Sequence, residues 1–139
     1  MSTTNNLKVV NLPAGSDFNG DTYCTIAINS SGRAVPGTAS TDIIVGVLAE
    51  DPGRATATDG SDTVAVALTG GGGLALVKIG EAVTAGEILV GAADGEAAGV
   101  ADLGSMPVDS MGFGIALESG ADGDIIRCML GPMGGPHSA

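Results

Sequence analysis

The chain has 139 residues, with 16 Asp and Glu against 5 Lys and Arg, for a formal net charge of −11. Lys8, Arg33, Arg54, Lys78 and Arg127 are too few and too scattered to form a phosphate-binding stripe, so direct nucleic-acid binding is disfavoured. One histidine, His137, and two cysteines without a CxxC spacing argue against a thiolate or imidazole metal site, and no run of about 18 apolar residues marks a membrane span.

The length suits one domain, built from two similar halves that share a core. Hydrophobic residues make up 44% of the chain, yet its only aromatics are Phe18, Tyr23 and Phe113, so the core is assembled from Ala, Val, Ile and Leu. At ~25 cal/mol per Å² of buried apolar area, such a thin core yields little stabilisation, which predicts association with further copies or with a partner surface.

In chain order, residues 1–17 read as an N-terminal arm. Met1 to Asn6 lacks the basic start and apolar centre of a secretion signal. The short run Leu7-Lys8-Val9-Val10 then breaks at Pro13-Ala14-Gly15, a segment that adds an edge strand or hangs free until a partner receives it. Residues 18–131 read as a single β domain. Tyr23 to Ile28 alternates as a strand and turns at Asn29-Ser30-Ser31-Gly32; Ala34-Val35 begins the return, which Pro36-Gly37 interrupts. Asp42 to Leu48 is short and β-branched, and Val64 to Leu68 alternates as a half-buried strand. The four glycines from Gly70 to Gly73 read as a hinge or crossover between halves, because no Gly-Lys-Ser/Thr and no helix follows as a phosphate-binding loop requires. Gly80 to Val90 reads as a turn entering a strand, and Asp94-Gly95 is the strongest hairpin signal in the chain. Residues 101 to 110 form a loop or one short helical turn, and 132–139, rich in Gly and Pro, read as a flexible tail.

Two stretches repeat one plan, about 23–70 and 76–131. Ser31-Gly32-Arg33-Ala34 leads to Ile44-Val45-Gly46-Val47-Leu48-Ala49-Glu50 and then to Val64–Leu68; Asp94-Gly95-Glu96-Ala97 leads to Gly112-Phe113-Gly114-Ile115-Ala116-Leu117-Glu118 and then to Ile125–Leu130. Repeated short strands stopped by glycine describe an all-β barrel or sandwich, and a scaffold rather than an active site, since catalysis needs reactive groups converging at one place.

Carboxylates are the one abundant reactive group. Glu50 and Glu118 fall at matching positions, which would bring two carboxylates together near a pseudo-twofold axis as in a glycosidase pair, but the aromatic platforms that bind sugars are missing, with no Trp and a single Tyr. They read as solvated strand ends. Asp59-Gly60-Ser61-Asp62 and Asp122-Gly123-Asp124 lack the EF-hand order and read as turns. Cys24 has no base beside it in sequence, and no Gly-x-Ser-x-Gly elbow occurs. Cys24 and Cys128 read as small strand residues, with a disulfide between the halves as the alternative. No enzymatic activity, cofactor or small-molecule substrate is expected.

Val77-Lys78-Ile79-Gly80-Glu81-Ala82-Val83-Thr84-Ala85-Gly86-Glu87-Ile88-Leu89, Asp94-Gly95, Gly114-Ile115-Ala116-Leu117-Glu118 and Gly123-Asp124-Ile125-Ile126-Arg127, with Ile44-Val45-Gly46-Val47-Leu48 in the first half, resemble the capsid cement, or head decoration, proteins of tailed bacteriophages. The resemblance spans roughly Tyr23 to Leu130. It implies a β-rich homotrimer made in the host cytoplasm and bound to the outside of an icosahedral head, where it bridges copies of the major capsid protein. Nucleic acid and membrane are not expected partners. Capsid contacts are expected on the N-terminal arm, at Leu7, Lys8, Val9, Val10 and Leu12. The segment around Gly80 to Gly95 is also similar to lipoyl and biotinyl carrier domains, but the chain's two hairpin tips carry Arg33 and Glu96 in place of the modified lysine. A surface adhesion module is a further alternative reading, one that needs an export route.

Overall fold

Short β-branched runs separated by glycine turns give ten strands and three single 3-10 turns in a computed structural model, which describes residues 8–133. The strands are β1 (Val9–Pro13), β2 (Thr25–Ile28), β3 (Ala34–Pro36), β4 (Gly46–Leu48), β5 (Thr63–Leu68), β6 (Leu74–Lys78), β7 (Ile88–Gly91), β8 (Ala97–Val100), β9 (Gly112–Ala116) and β10 (Ile125–Met133). They form two five-stranded antiparallel sheets in the orders β1-β5-β4-β2-β3 and β6-β10-β9-β7-β8. The second order is the first with every strand number raised by five.

The duplication extends to individual registers. Val9 pairs with Ala67 as Leu74 pairs with Met129, and Gly46 pairs with Leu68 as Gly114 pairs with Leu130. Each sheet also curls until its edges meet, through a parallel bridge of Ala14 with Ala34 in one half and of Ile79 with Ala97 in the other. The amides that follow these bridges, Gly15 N–H and Gly80 N–H, donate to the Ala34 and Ala97 carbonyls at 2.8 and 2.9 Å. The all-β class and the two similar halves predicted from the glycine spacing are thus present.

Alternation along the curled strands separates an inner from an outer face. In the first half Ile26, Leu48, Val64 and Val66 point inward, where Phe18, Ala14 and Cys24 complete a core. In the second, Val77, Ile79, Leu89, Ile126, Cys128 and Leu130 surround a core that includes Phe113. The first half's outer residues Val47 and Ala67, with Ile44, join this second core, so the halves are fused along one side of the first sheet. Three backbone hydrogen bonds stitch the junction: Lys78 N–H to Tyr23 O at 3.1 Å, Gly95 N–H to Gly37 O at 2.8 Å, and Met111 N–H to Ser40 O at 3.2 Å.

Several connections follow their predicted chemistry. Asp94 and Gly95, at φ 59° and 74°, supply the two successive left-handed residues of the β7–β8 hairpin. The glycine run does join the halves, with a 3-10 turn at Thr69–Gly71 between β5 and β6. Residues 101–110 hold one 3-10 turn, Leu103–Ser105, on which the Asp102 carboxylate accepts from Ser105 N–H at 2.8 Å.

Of the two forms expected for the 1–17 segment, Val9–Pro13 takes the added edge strand: β1 pairs along its full length with β5 and its bridge meets β3's first residue, Ala34. The repeat therefore starts at β1 and β6 rather than near residues 23 and 76. At the other end β10 continues through Pro132 to Met133, where a bulge after Leu130 lets Met133 pair with Gly112; the rest of the expected tail lies outside the described residues. A proline is tolerated at such a bulge because the ladder is already interrupted there.

Thr25 is fully buried, and its hydroxyl has no hydrogen-bond partner. A buried hydroxyl without a partner costs about 1–3 kcal/mol, so Thr25→Val, which keeps the side-chain shape, is expected to stabilise the fold by about 1 kcal/mol and to raise Tm by about 4 °C in a melting experiment.

Candidate interaction surfaces

Several of the acidic groups, Glu50, Asp59, Asp62, Glu118 and Asp124 among them, are tied to the chain's own backbone. Glu50 Oε1 accepts from Ala65 N–H at 2.9 Å, and Glu118 Oε2 accepts from Arg127 N–H at 2.8 Å. Ala65 and Arg127 are equivalent positions in β5 and β10, so the paired glutamates repeat a staple that fastens the turn after β4 or β9 to the neighbouring strand. The same carboxylate takes a hydrogen bond from Arg127 Nε at 3.1 Å. The Arg127 amide, then its guanidinium, hold Glu118 below the ordinary carboxylate range. Asp62 Oδ2 accepts from Thr56 and Ala57 N–H, and Asp124 Oδ2 from Ala121 N–H, again at matching places before β5 and β10. The Ala57 and Thr56 amides lower the Asp62 pKa; the Ser61 hydroxyl and amide lower that of Asp59. These oxygens organise turns.

Cys24 and Cys128 are free and buried, one in each core, and burial pushes both thiols up to about 12. At neutral pH they are protonated, apolar fillers without thiolate character. Among the described residues no three His, Cys, Asp or Glu side chains cluster as metal ligands do, and no helix is long and apolar enough to cross a membrane.

Apolar surface is also exposed. A groove of about 420 Å³ opens at the junction of the halves, with Val47, Ala49 and Ala67 on one wall and Leu74, Ala75 and Leu76 of β6 on the other. Tyr23 and Arg127 stand at its rim. Tyr23 holds φ at 41°, an uncommon left-handed conformation for a non-glycine residue, while its carbonyl accepts the Lys78 amide across the junction. From the groove the apolar surface continues over the outer face of the second sheet, where Leu74 and Leu76 of β6, Ile125 and Met129 of β10, and Leu117 just past β9 are all exposed.

The residues expected to touch a capsid divide differently from one continuous patch. Leu7 lies outside the described residues. Lys8 and Val9 are exposed, and Lys8 is held by its carbonyl, which accepts Leu68 N–H at 2.8 Å. Val10 and Leu12 are partly buried on the opposite side of the strand, and Leu12 packs on the first core. The outer face was not picked out from the sequence, although β10 carries a partial signal: Ile125 and Met129, on either side of Arg127, alternate with the buried Ile126, Cys128 and Leu130, so the outward face is apolar but for one cation.

No family model matches the chain, and comparison with curated proteins finds no significant relative.

Proposed function

We propose that this chain is a capsid decoration protein that binds the exterior of an icosahedral phage head and stabilises contacts between major capsid protein subunits. The observation that carries this reading is an acidic, duplicated β scaffold in which several carboxylates fasten its own turns and the outer face of the second sheet leaves Leu74, Leu76, Ile125 and Met129 exposed. Such a molecule contributes buried contact area. Copies held together in a trimer bind with avidity, so individually weak contacts suffice to oppose the pressure of packaged DNA. A net charge of −11 suits a position outside the shell, away from DNA.

Of the five residues expected to face the capsid, the exposed pair Lys8 and Val9 best fits the role, at the end of edge strand β1 away from the Ala14–Ala34 bridge; Leu12 serves the core. Edge strands accept partners through backbone hydrogen bonds, and Lys8 adds one of the few cations. The test is co-sedimentation with expanded heads of the virus that carries the gene. Saturable binding is expected, weakened by Lys8→Glu without loss of fold; absence of binding by the wild-type chain rejects the proposal.

A further inference from the structure

Strand β6 is an edge strand, paired with β10 on one side. In an antiparallel ladder alternate residues direct both backbone groups to the same neighbour. Leu130 N–H donates to Gly73 O at 2.8 Å and Ile79 N–H to Asp124 O at 2.9 Å, so Ala75 and Val77, in step with Gly73 and Ile79, face β10. Leu74, Leu76 and Lys78 therefore face the other way. Lys78 N–H finds a partner there, Tyr23 O at 3.1 Å, whereas among the described residues Leu74 and Leu76 make no backbone hydrogen bond on that side. The chain starts a further strand beside β6 and leaves it after one rung: Tyr23, at φ 41°, bends away, and the Cys24 carbonyl already accepts Leu48 N–H at 2.8 Å in the first sheet.

We propose that the open edge of β6 receives an extended, uncharged segment of another protein, which continues the row begun by Tyr23 and adds a strand beside Leu74 and Leu76. The groove at the junction of the halves lies along this edge, and its volume of about 420 Å³ falls within the range of roughly 300–1,000 Å³ usual for ligand clefts. A row of backbone donors and acceptors is satisfied by an extended chain, which sets the conformation of the occupant. The facing wall of Val47, Ala49 and Ala67 suits short apolar side chains. Charge sets the rest. No carboxylate lines the groove, and its one cation, Arg127, has Nε 3.1 Å from Glu118 Oε2, so a charged side chain would be buried there without a free partner. The run Leu74-Ala75-Leu76 also holds none of the Lys or Pro residues that commonly blunt an edge against pairing.

This site is separate from the contact at Lys8 and Val9 proposed for a capsid. It is a property of β6 and its groove, and it stands whether or not the protein decorates a phage head.

The test titrates the full chain into short dye-labelled synthetic peptides that alternate valine with serine, isoleucine with threonine, or alanine with serine, and follows fluorescence anisotropy. Saturable binding of at least one is expected. N-methylation of that peptide at one alternate set of amides is expected to weaken binding about tenfold or more, and at the other set to leave it within about twofold, because only one set faces β6. Hydrogen exchange followed by NMR reads the edge directly: the Leu74 and Leu76 amides are expected to exchange rapidly in the free chain, unlike those of Ala75 and Val77, and to slow when peptide binds. Leu76→Pro removes one outward amide and leaves the β10 ladder intact, so it is expected to abolish binding while a circular dichroism melt verifies the fold. Should that variant melt early, the N-methylated peptides and the exchange rates carry the test. Binding by none of the peptides, an equal response to both N-methylated sets, undiminished binding by folded Leu76→Pro, or Leu74 and Leu76 amides already protected without peptide overturns the proposal; the last would mean that the chain or a copy of it fills the edge. Failure of capsid co-sedimentation with peptide binding intact would instead remove the decoration reading and leave this one standing.

Discussion

Gly46→Ala is expected to destabilise the protein by about 3 kcal/mol or more, a large fraction of the total stability of a domain this size. A methyl group at this position overlaps the Ala67 carbonyl oxygen and lies 2.7 Å from Val66 Cγ1. The obstructing atoms belong to the backbone of β5, which is paired on its other side with β1 and so cannot move aside. The second half repeats the arrangement in milder form: a Cβ on Gly114 lies 2.7 Å from the Met129 carbonyl oxygen, and Ala67 and Met129 are equivalent. Gly114→Ala is therefore expected to cost about 1–2 kcal/mol. Gly70→Ala, where a Cβ meets nothing within 4 Å, is the control and should fall within about 0.5 kcal/mol of wild type. Urea unfolding of the three variants checks the order. A Gly46→Ala protein as stable as wild type would mean that β4 and β5 do not pair in this register.

These glycines also show what the sequence makes legible. Gly46 and Gly114 stand out as matching residues inside matching apolar runs, and the runs become strands because β-branched residues flank them. Asp94-Gly95 announces its hairpin through local backbone preference alone. The similarity of Glu50 and Glu118 is equally visible, but their partners, Ala65 and Arg127 amides, lie on separate strands, so no local pattern separates a turn staple from a catalytic pair. The equivalence of β1 and β6 is hidden for a related reason. Val9-Val10-Asn11-Leu12 and Leu74-Ala75-Leu76-Val77 share little as residues, and their likeness arises only from where β5 and β10 receive them. Pairing over such separations is invisible to a reading of neighbours, so β1 looks like an arm. The candidate face is harder still, because an exposed Leu and a buried Leu look alike until the fold decides which side is covered.

The two phenylalanines test whether the halves are one cooperative unit. Phe18 is fully buried in the first core and Phe113 is 1% exposed in the second, each among aliphatic side chains. Truncation of either to alanine leaves a cavity in a close-packed core that relaxes only partly, so Phe18→Ala and Phe113→Ala are each expected to lose about 3–5 kcal/mol. Separate domains would respond separately, with the damaged half melting first. Here Ile44, Val47 and Ala67 of the first half lie within the second core, so unfolding the second half strips cover from the outer face of the first. Loss of the first half in turn opens the second core at those three side chains. Both variants are accordingly expected to melt in a single transition at a lowered temperature, with equal calorimetric and van't Hoff enthalpies. Two resolved transitions in Phe113→Ala, the later one retaining the wild-type midpoint, would show that the first half stands without the second and that the junction adds no shared stability.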